Sequence, residues 1–221
     1  QINYEKKDKE YDLLIDINHD DFSKINDFFQ LPYLIRDLVI GEGNIKIALE
    51  GNFNKSKSNV IFENSDSNMT YVGDIKVKNY SIGDFSGDVT ISSKNIGDLI
   101  DLGEEVEINY ASEISQKNST LSIKNISIDS SNNNYSGNIF INSQDKDVLD
   151  IDINFESESL DILTIKTLYN YFYKDLKLLV KGGLKINSKL FTINDYKIYD
   201  LDSQLNFSEN SINIKKFKGK L

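Results

Sequence analysis

Apolar side chains recur at every second position along most of this chain, a period that suits a pleated strand with one dry and one wet face and does not suit a helix. Leu13, Ile15 and Ile17 stand two apart, as do Ile45, Ile47 and Leu49. The spacing continues through Ile75 and Val77, Val89 and Ile91, Ile139 and Ile141, then Leu149, Ile151, Ile153 and Phe155, and closes with Ile212 and Ile214. Lys, Asp, Asn and Ser fill most of the positions between them. A sheet that is wet on one side pairs antiparallel, because parallel sheets are covered on both faces. The pattern therefore predicts a mostly β (α+β) fold built on a long antiparallel sheet.

Two repeats lie over the alternation. In the first, a Gly leads an apolar–x–apolar run: Gly43-Asn44-Ile45-Lys46-Ile47, Gly73-Asp74-Ile75-Lys76-Val77, Gly87-Asp88-Val89-Thr90-Ile91, Gly137-Asn138-Ile139-Phe140-Ile141 and Gly182-Gly183-Leu184-Lys185-Ile186. These read as strands opened by Gly, where a hairpin entry or bulge asks for positive φ. In the second, a strand ends in an apolar residue and another follows five positions on, at Ile17/Phe22, Ile91/Ile96 and Phe155/Leu160, continuing at i+3 with Ile25, Leu99 and Leu163. The polar junctions between them suit helix N-caps. They predict three short helices, at Asp21–Phe29, Ile96–Leu102 and Leu160–Tyr173. Stretches 51–58, 63–70, 115–119, 129–135 and 143–147 read as polar turns. No linker divides the chain, so residues 1–221 are expected to form a single domain. Gln1 is not a natural start, so the chain is expected to be a fragment of a longer protein.

Composition excludes several functions. A formal net charge of −10 is wrong for nucleic acid, whose phosphates need a basic stripe. With no Cys there is no disulfide, thiolate metal site or cysteine nucleophile. No run approaches the ~20 apolar residues of a membrane-spanning helix. His19 is the sole histidine and sits in Asn18-His19-Asp20-Asp21, where it reads as a solvated turn residue. The nearest approach to a nucleophile elbow, Gly83-Asp84-Phe85-Ser86-Gly87, has its serine in the wrong register. Asp150, Asp152 and Asn154 alternate with Ile151 and Ile153 and so read as the wet face of a strand rather than a cation loop. Glu104-Glu105 and Glu156/Glu158 read as solvated charge in the same way. The aromatic group Tyr169, Tyr171, Phe172 and Tyr173 reads as a helix end packed on the sheet. Nothing points to catalysis, a metal or a cofactor.

Three segments, Asn134–Ile141, Leu149–Phe155 and Leu160-Asp161-Ile162-Leu163, together resemble the AsmA family, in which a Gly-led strand, a second strand and a short leucine–aspartate helix follow one another. Gly182–Ile186, Tyr199–Leu205 and Ile212–Leu221 resemble its closing strands, and Asp20–Gly51 has the same rhythm. The resemblance implies a periplasmic protein anchored in the inner membrane by a segment outside this chain. It implies a long curled sheet whose concave apolar face shields phospholipid acyl chains, serving phospholipid transport or outer-membrane biogenesis. The partners it implies are phospholipid acyl chains, the rest of the same longer chain and other envelope proteins. Lipid would then face Ile45, Ile47, Leu49, Ile75, Val77, Val89, Ile91, Ile139, Ile141, Ile151, Ile153, Phe155, Leu184 and Ile186. The alternative is a structural or adhesive β-repeat module with a closed core and no lipid. A carboxylate-based saccharide enzyme stands third.

Overall fold

The computed structural model describes residues 2–7, 10–21, 42–52, 55–78, 81–94, 107–130, 133–145, 148–162, 179–208 and 211–221. The chain falls into two compact units, Gln1–Lys117 and Asn118–Leu221. The first holds β1 (Ile2–Lys7), β2 (Glu10–His19), β3 (Gly43–Asn52), β4 (Lys55–Asn64), β5 (Ser67–Lys78), β6 (Ser81–Ser93) and β7 (Ile108–Lys117). The second holds β8 (Thr120–Ser130), β9 (Asn133–Asp145), β10 (Val148–Asp161), β11 (Leu179–Ile193), β12 (Tyr196–Ser208) and β13 (Ser211–Lys220). Within each unit, strands consecutive in sequence are neighbours in one sheet. In neither unit does the sheet close on itself: among the described residues β1 does not pair with β7, nor β8 with β13. The β character and the mostly antiparallel pairing match the alternation. The exception is β10–β11, which is parallel, with Val148 opposite Leu179 and Phe155 opposite Ile186. The 17 residues between these strands give the reach that a parallel return needs and a tight turn lacks.

Two of the three expected helices, at 21–29 and 96–102, lie outside the described residues apart from Asp21. The third is corrected at its start. Leu160 and Asp161 are the last residues of β10, not the first of a helix, and residues past Ile162 lie outside the description. Leu160 was read as helical because it stands five residues after Phe155, out of phase with the strand. The structure absorbs that odd step within the sheet. Leu160, Phe191 and Ile198 pair with one another across β10, β11 and β12, and they share one buried cluster with Ile186 and Leu201 although they are out of phase with both. Asp200, left-handed at φ 53, takes the step on β12.

The same device recurs wherever apolar residues stand three apart instead of two. Ile123 and Ile126 oppose Ile139 and Gly137, so Lys124 and Asn125 face Asn138 alone. Asn125 is left-handed (φ 51), and its freed N–H donates to Asn138 Oδ1 at 3.0 Å. Ile82 and Phe85 on β6 oppose Val77 and Ile75, and Ile214 and Phe217 on β13 straddle a shift at Lys215. A bulge inserts one residue and so restores the phase that a three-residue step would break. Asn and Asp suit the left-handed positions because short polar side chains tolerate them.

The glycine repeat has a different cause from the one expected. Only Gly43 opens a strand; Gly73, Gly87, Gly137 and Gly182 lie inside β5, β6, β9 and β11. Of the five, only Gly182 has a φ that side chains resist, +149. The others are needed for space. Gly73 and Gly87 pair directly, and a Cβ on Gly73 would fall on the Ser86 carbonyl and within 2.6 Å of the Gly87 Cα. A Cβ on Gly137 would fall on the Asn154 carbonyl. The turns at 51–58 and 63–70 are also corrected. β4 begins at Lys55 and β5 at Ser67, leaving turns of only a few residues. Ser- and Asn-rich sequence there is strand, because Ser56 and Ser58 occupy buried positions where small side chains fit. Gly73→Val should cost about 1–3 kcal/mol by overpacking against backbone. Gly183→Ala, whose Cβ would meet only the movable Asp152 carboxylate, should stay within about 0.5 kcal/mol. Urea midpoints of the two variants check this.

Candidate functional site

Directly opposed residues share a face, so the registers give the composition of each side. In the first unit one row runs Ile17, Ile45, Phe62, Met69, Ile91, Tyr110 across β2 to β7. The next runs Ile15, Ile47, Val60, Tyr71, Val89, Ser112, and a third Leu13, Leu49, Ser58, Gly73, Gly87, Ile114. Ile75 and Phe85 pair in a fourth. Ile45, Ile47, Leu49, Ile75, Val89 and Ile91 therefore share one face; the side chain of Val77 lies outside the description. Phe62 alone among the apolar side chains described in this unit is fully buried, with Ile17, Ile45 and Met69 packed on it. The other apolar side chains of these rows are half-buried, while Ser58 and Ser112 are buried. The polar members of the face are turned inward. The Tyr71 ring lies over the Gly73–Gly87 pair and its hydroxyl donates to the Asp74 carbonyl at 3.3 Å. Tyr110 donates to Ser112 Oγ at 2.7 Å, and Tyr11 hydrogen-bonds Ser56. Burial raises the pKa of both Tyr71 and Tyr110, with Asp74 adding to the first. Ser58 Oγ, buried beside the glycines, has no hydrogen-bond partner.

The second unit repeats the arrangement. Leu121, Ile141 and Ile151 form one row, with Gly182, Phe207 and Ile212 continuing it. Ile123, Ile139, Ile153, Leu184, Leu205 and Ile214 form the next, and Ile126, Gly137, Phe155, Ile186, Ser203 and Phe217 the third. Every expected residue of this unit thus lies on one face. Ile186 is buried, in the cluster with Leu160, Phe191, Ile198 and Leu201, while the others are half-buried. Tyr135 stacks on Phe155 with ring centroids 5.4 Å apart.

Sequence reasoning missed the β4–β5 part of this face: Val60, Phe62, Met69 and Tyr71. Val60-Ile61-Phe62 is a continuous apolar run without alternation, and its Ser- and Asn-rich flanks read as turns. A buried strand between two alternating ones is the signal that would have found it. The opposite face is mostly polar, with exceptions that include Leu14, Ile61, Val72 and Phe140, of which Val72 is 51% exposed. Lys124 Nζ sits 5.9 Å over the Phe140 ring.

The carboxylates are tied into that wet face. Asp150 pairs with Lys181 at 3.7 Å, Asp74 with Lys55 at 3.0 Å, Glu158 with Lys189 at 2.7 Å and Asp202 with Lys216. Asn44 donates to Asp16 at 2.6 Å and to Asn18 at 2.7 Å. Such exposed pairs add little to stability, because water screens them and the long side chains lose freedom. Glu156 and Glu158 belong to β10 and not to a junction. His19 ends β2, and its Nδ1 accepts the Asp21 N–H at 2.9 Å, a turn role. Asp84 and Ser86 lie within β6, away from any strand-to-helix turn. Glu104-Glu105 and the aromatic group at 169–173 lie outside the described residues.

Comparison with protein-family models, with curated proteins and with solved structures returns no match to this chain.

A hydrogen bond from Lys216 lowers the Asp202 pKa, and one from Lys189 lowers that of Glu158. A depressed folded-state value means that each pair stabilises the fold above the ordinary carboxylate pKa and loses that contribution as pH falls through the folded value, here below about pH 4. Carbon-13 NMR titration should place both carboxylates below their ordinary values. Lys216→Ala should raise the Asp202 value and leave Glu158 where it is.

Proposed function

We propose that this chain is a non-catalytic segment of the cell envelope whose apolar sheet face shields lipid acyl chains and so contributes to phospholipid transport or outer-membrane biogenesis. In this reading the sheet is curled about its apolar side. The protein works in the periplasm, tethered to the inner membrane, alongside other envelope proteins. The observation that carries the reading is the half-buried state of the apolar rows in the first unit. A row such as Ile15, Ile47, Val60, Tyr71 and Val89 crosses five neighbouring strands and is neither solvated fully nor buried as a core is. An acyl chain laid against such a face gains about 0.8 kcal/mol per buried CH₂. It needs no polar site to hold it, and the inward-turned Tyr hydroxyls leave the surface apolar.

The closed-core module is the second reading, and the cluster around Leu160, Phe191 and Leu201 favours it locally, because those side chains already cover one another. Photo-crosslinking separates the two. A photoreactive residue at Ile45, Ile139 or Ile153 should form phospholipid adducts in cells, while one at the neighbouring wet-face positions Lys46, Asn138 or Asp152 should not. Absence of adducts at all three apolar positions would rule out the lipid reading.

A further inference from the structure

Among the described residues of the first unit only two large apolar side chains are exposed, Leu14 at 45% and Val72 at 51%. Both lie on the wet face and in one register row, Leu14, Ala48, Asn59, Val72, Asp88 and Glu113 across β2 to β7. Each has a paired strand on both sides, so its exposure belongs to the face of the sheet and not to an edge. Three strand spacings separate the two, about 14 Å. Ile61, half-buried on the next row, adds apolar surface diagonal to Val72. Acids stand at both ends of this stretch. Asp12 lies directly opposite Glu50 beside Leu14, and Asp88 directly opposite Glu113 beside Val72. Lys57 stands between Glu50 and Asp74, and Lys55 pairs with Asp74 at 3.0 Å. Asp12, Glu50 and Asp88 are exposed and in no ion pair among the described residues.

Solubility accounts for exposed acids but not for Leu14 and Val72 between them, and like charges set directly opposite one another destabilise a strand pair. A partner that is both cationic and apolar answers both features. Residues 1–117 carry the whole acidic surplus, so a second copy and an anionic membrane are repelled while a basic segment is attracted. Strands β2 to β6 are paired on both sides, so no further strand can be added to them. A helix satisfies its own backbone and meets a sheet face through a stripe of side chains. We infer that the wet face of β2 to β6 is a docking surface for a basic amphipathic helix of a partner protein. Its apolar stripe would lie on Leu14, Ile61 and Val72, with Lys or Arg against Asp12–Glu50 and Asp88–Glu113. Anchors about 14 Å apart stand about two and a half turns apart on such a helix. This surface is on the opposite side of the sheet from the rows proposed to shield lipid, and it does not depend on them.

Two labelled helical peptides of about eighteen residues, roughly 27 Å long, test this on the whole chain. Both carry Leu along one stripe; the remaining positions are Lys in one and Glu in the other. By fluorescence anisotropy the Lys peptide should bind at least about tenfold more tightly, since several charge contacts change sign between the two. Leu14→Asn with Val72→Asn should weaken that binding at least about fivefold, with circular dichroism unchanged. Phe140→Asn, a comparably exposed wet-face change in the second unit, should leave it unaltered. That split separates docking from general attraction of a cation to an acidic chain. If the double variant does not fold, a photoreactive group in the apolar stripe of the Lys peptide still decides, by attaching to β2–β5 of the unaltered chain. Equal affinities, no binding, undiminished binding to the double variant, or attachment elsewhere overturns the inference. So does self-association in sedimentation, or binding to anionic phospholipid vesicles, that the double variant abolishes when the Lys peptide does not bind.

Discussion

A sheet with one apolar face keeps it only while every strand crosses its neighbour in the same phase, because a slip of one residue moves a whole row to water. Most of what is distinctive in this chain serves that constraint. Four times an apolar residue arrives one place late, at Phe85, Ile126, Leu201 and Phe217. Register shifts accompany all four, and at Asn125 and Asp200 a left-handed residue absorbs the extra step. At Asn125 the bulge also exposes an N–H, and the Asn138 side chain accepts it. A bulge without that acceptor would leave the group unpaired, so the polar face supports the phase of the apolar one.

The glycines meet a second demand of the same face. Strand backbones approach one another so closely at Gly73–Gly87 and at Gly137–Asn154 that any side chain would strike main chain. An apolar face with glycine in it has gaps, and Tyr71 fills one by lying across both glycines of the β5–β6 pair. Its raised pKa has the same origin, since burial disfavours the phenolate. Ser56 and Ser58 occupy the adjoining places for their size, and the Ser58 hydroxyl is left without a partner.

The face itself was legible because period two survives in Ile, Val and Leu whatever the rest of the composition does. Nine alternating apolar positions read from the sequence of the first unit, Leu13 to Ile17, Ile45 to Leu49, Ile75, Val89 and Ile91, lie together in the described rows. What was not legible has physical causes. Val60-Ile61-Phe62 carries apolar residues on both faces, so alternation vanished at the strand holding the fully buried Phe62. Ser- and Asn-rich stretches looked like turns because those residues are read for hydrogen bonding, whereas at Ser56 and Ser58 they were selected for volume. The glycines were assigned to positive φ, a local property, when at Gly73 and Gly137 the cause is a neighbouring strand that one sequence does not reveal. Leu160 was given to a helix because a five-residue step was weighed without its partners Phe191 and Ile198.

Burial and charge are distributed unevenly, and the two patterns bear on each other. The long connections follow β2, β6 and β10, every fourth strand. The two buried clusters stand at such places, with Ile17 just before the end of β2 and Leu160 at the end of β10. Away from them Ile126 is buried too, most other apolar side chains of the rows are half-covered, and those of β13 are exposed. The surplus of ten acidic charges falls entirely within residues 1–117, while residues 118–221 are balanced. Within the balanced half, β13 gathers four lysines. The lysines of β13 lie beside Asp202 and Asp200 of β12, so within this unit opposite charges meet across neighbouring strands of the wet face.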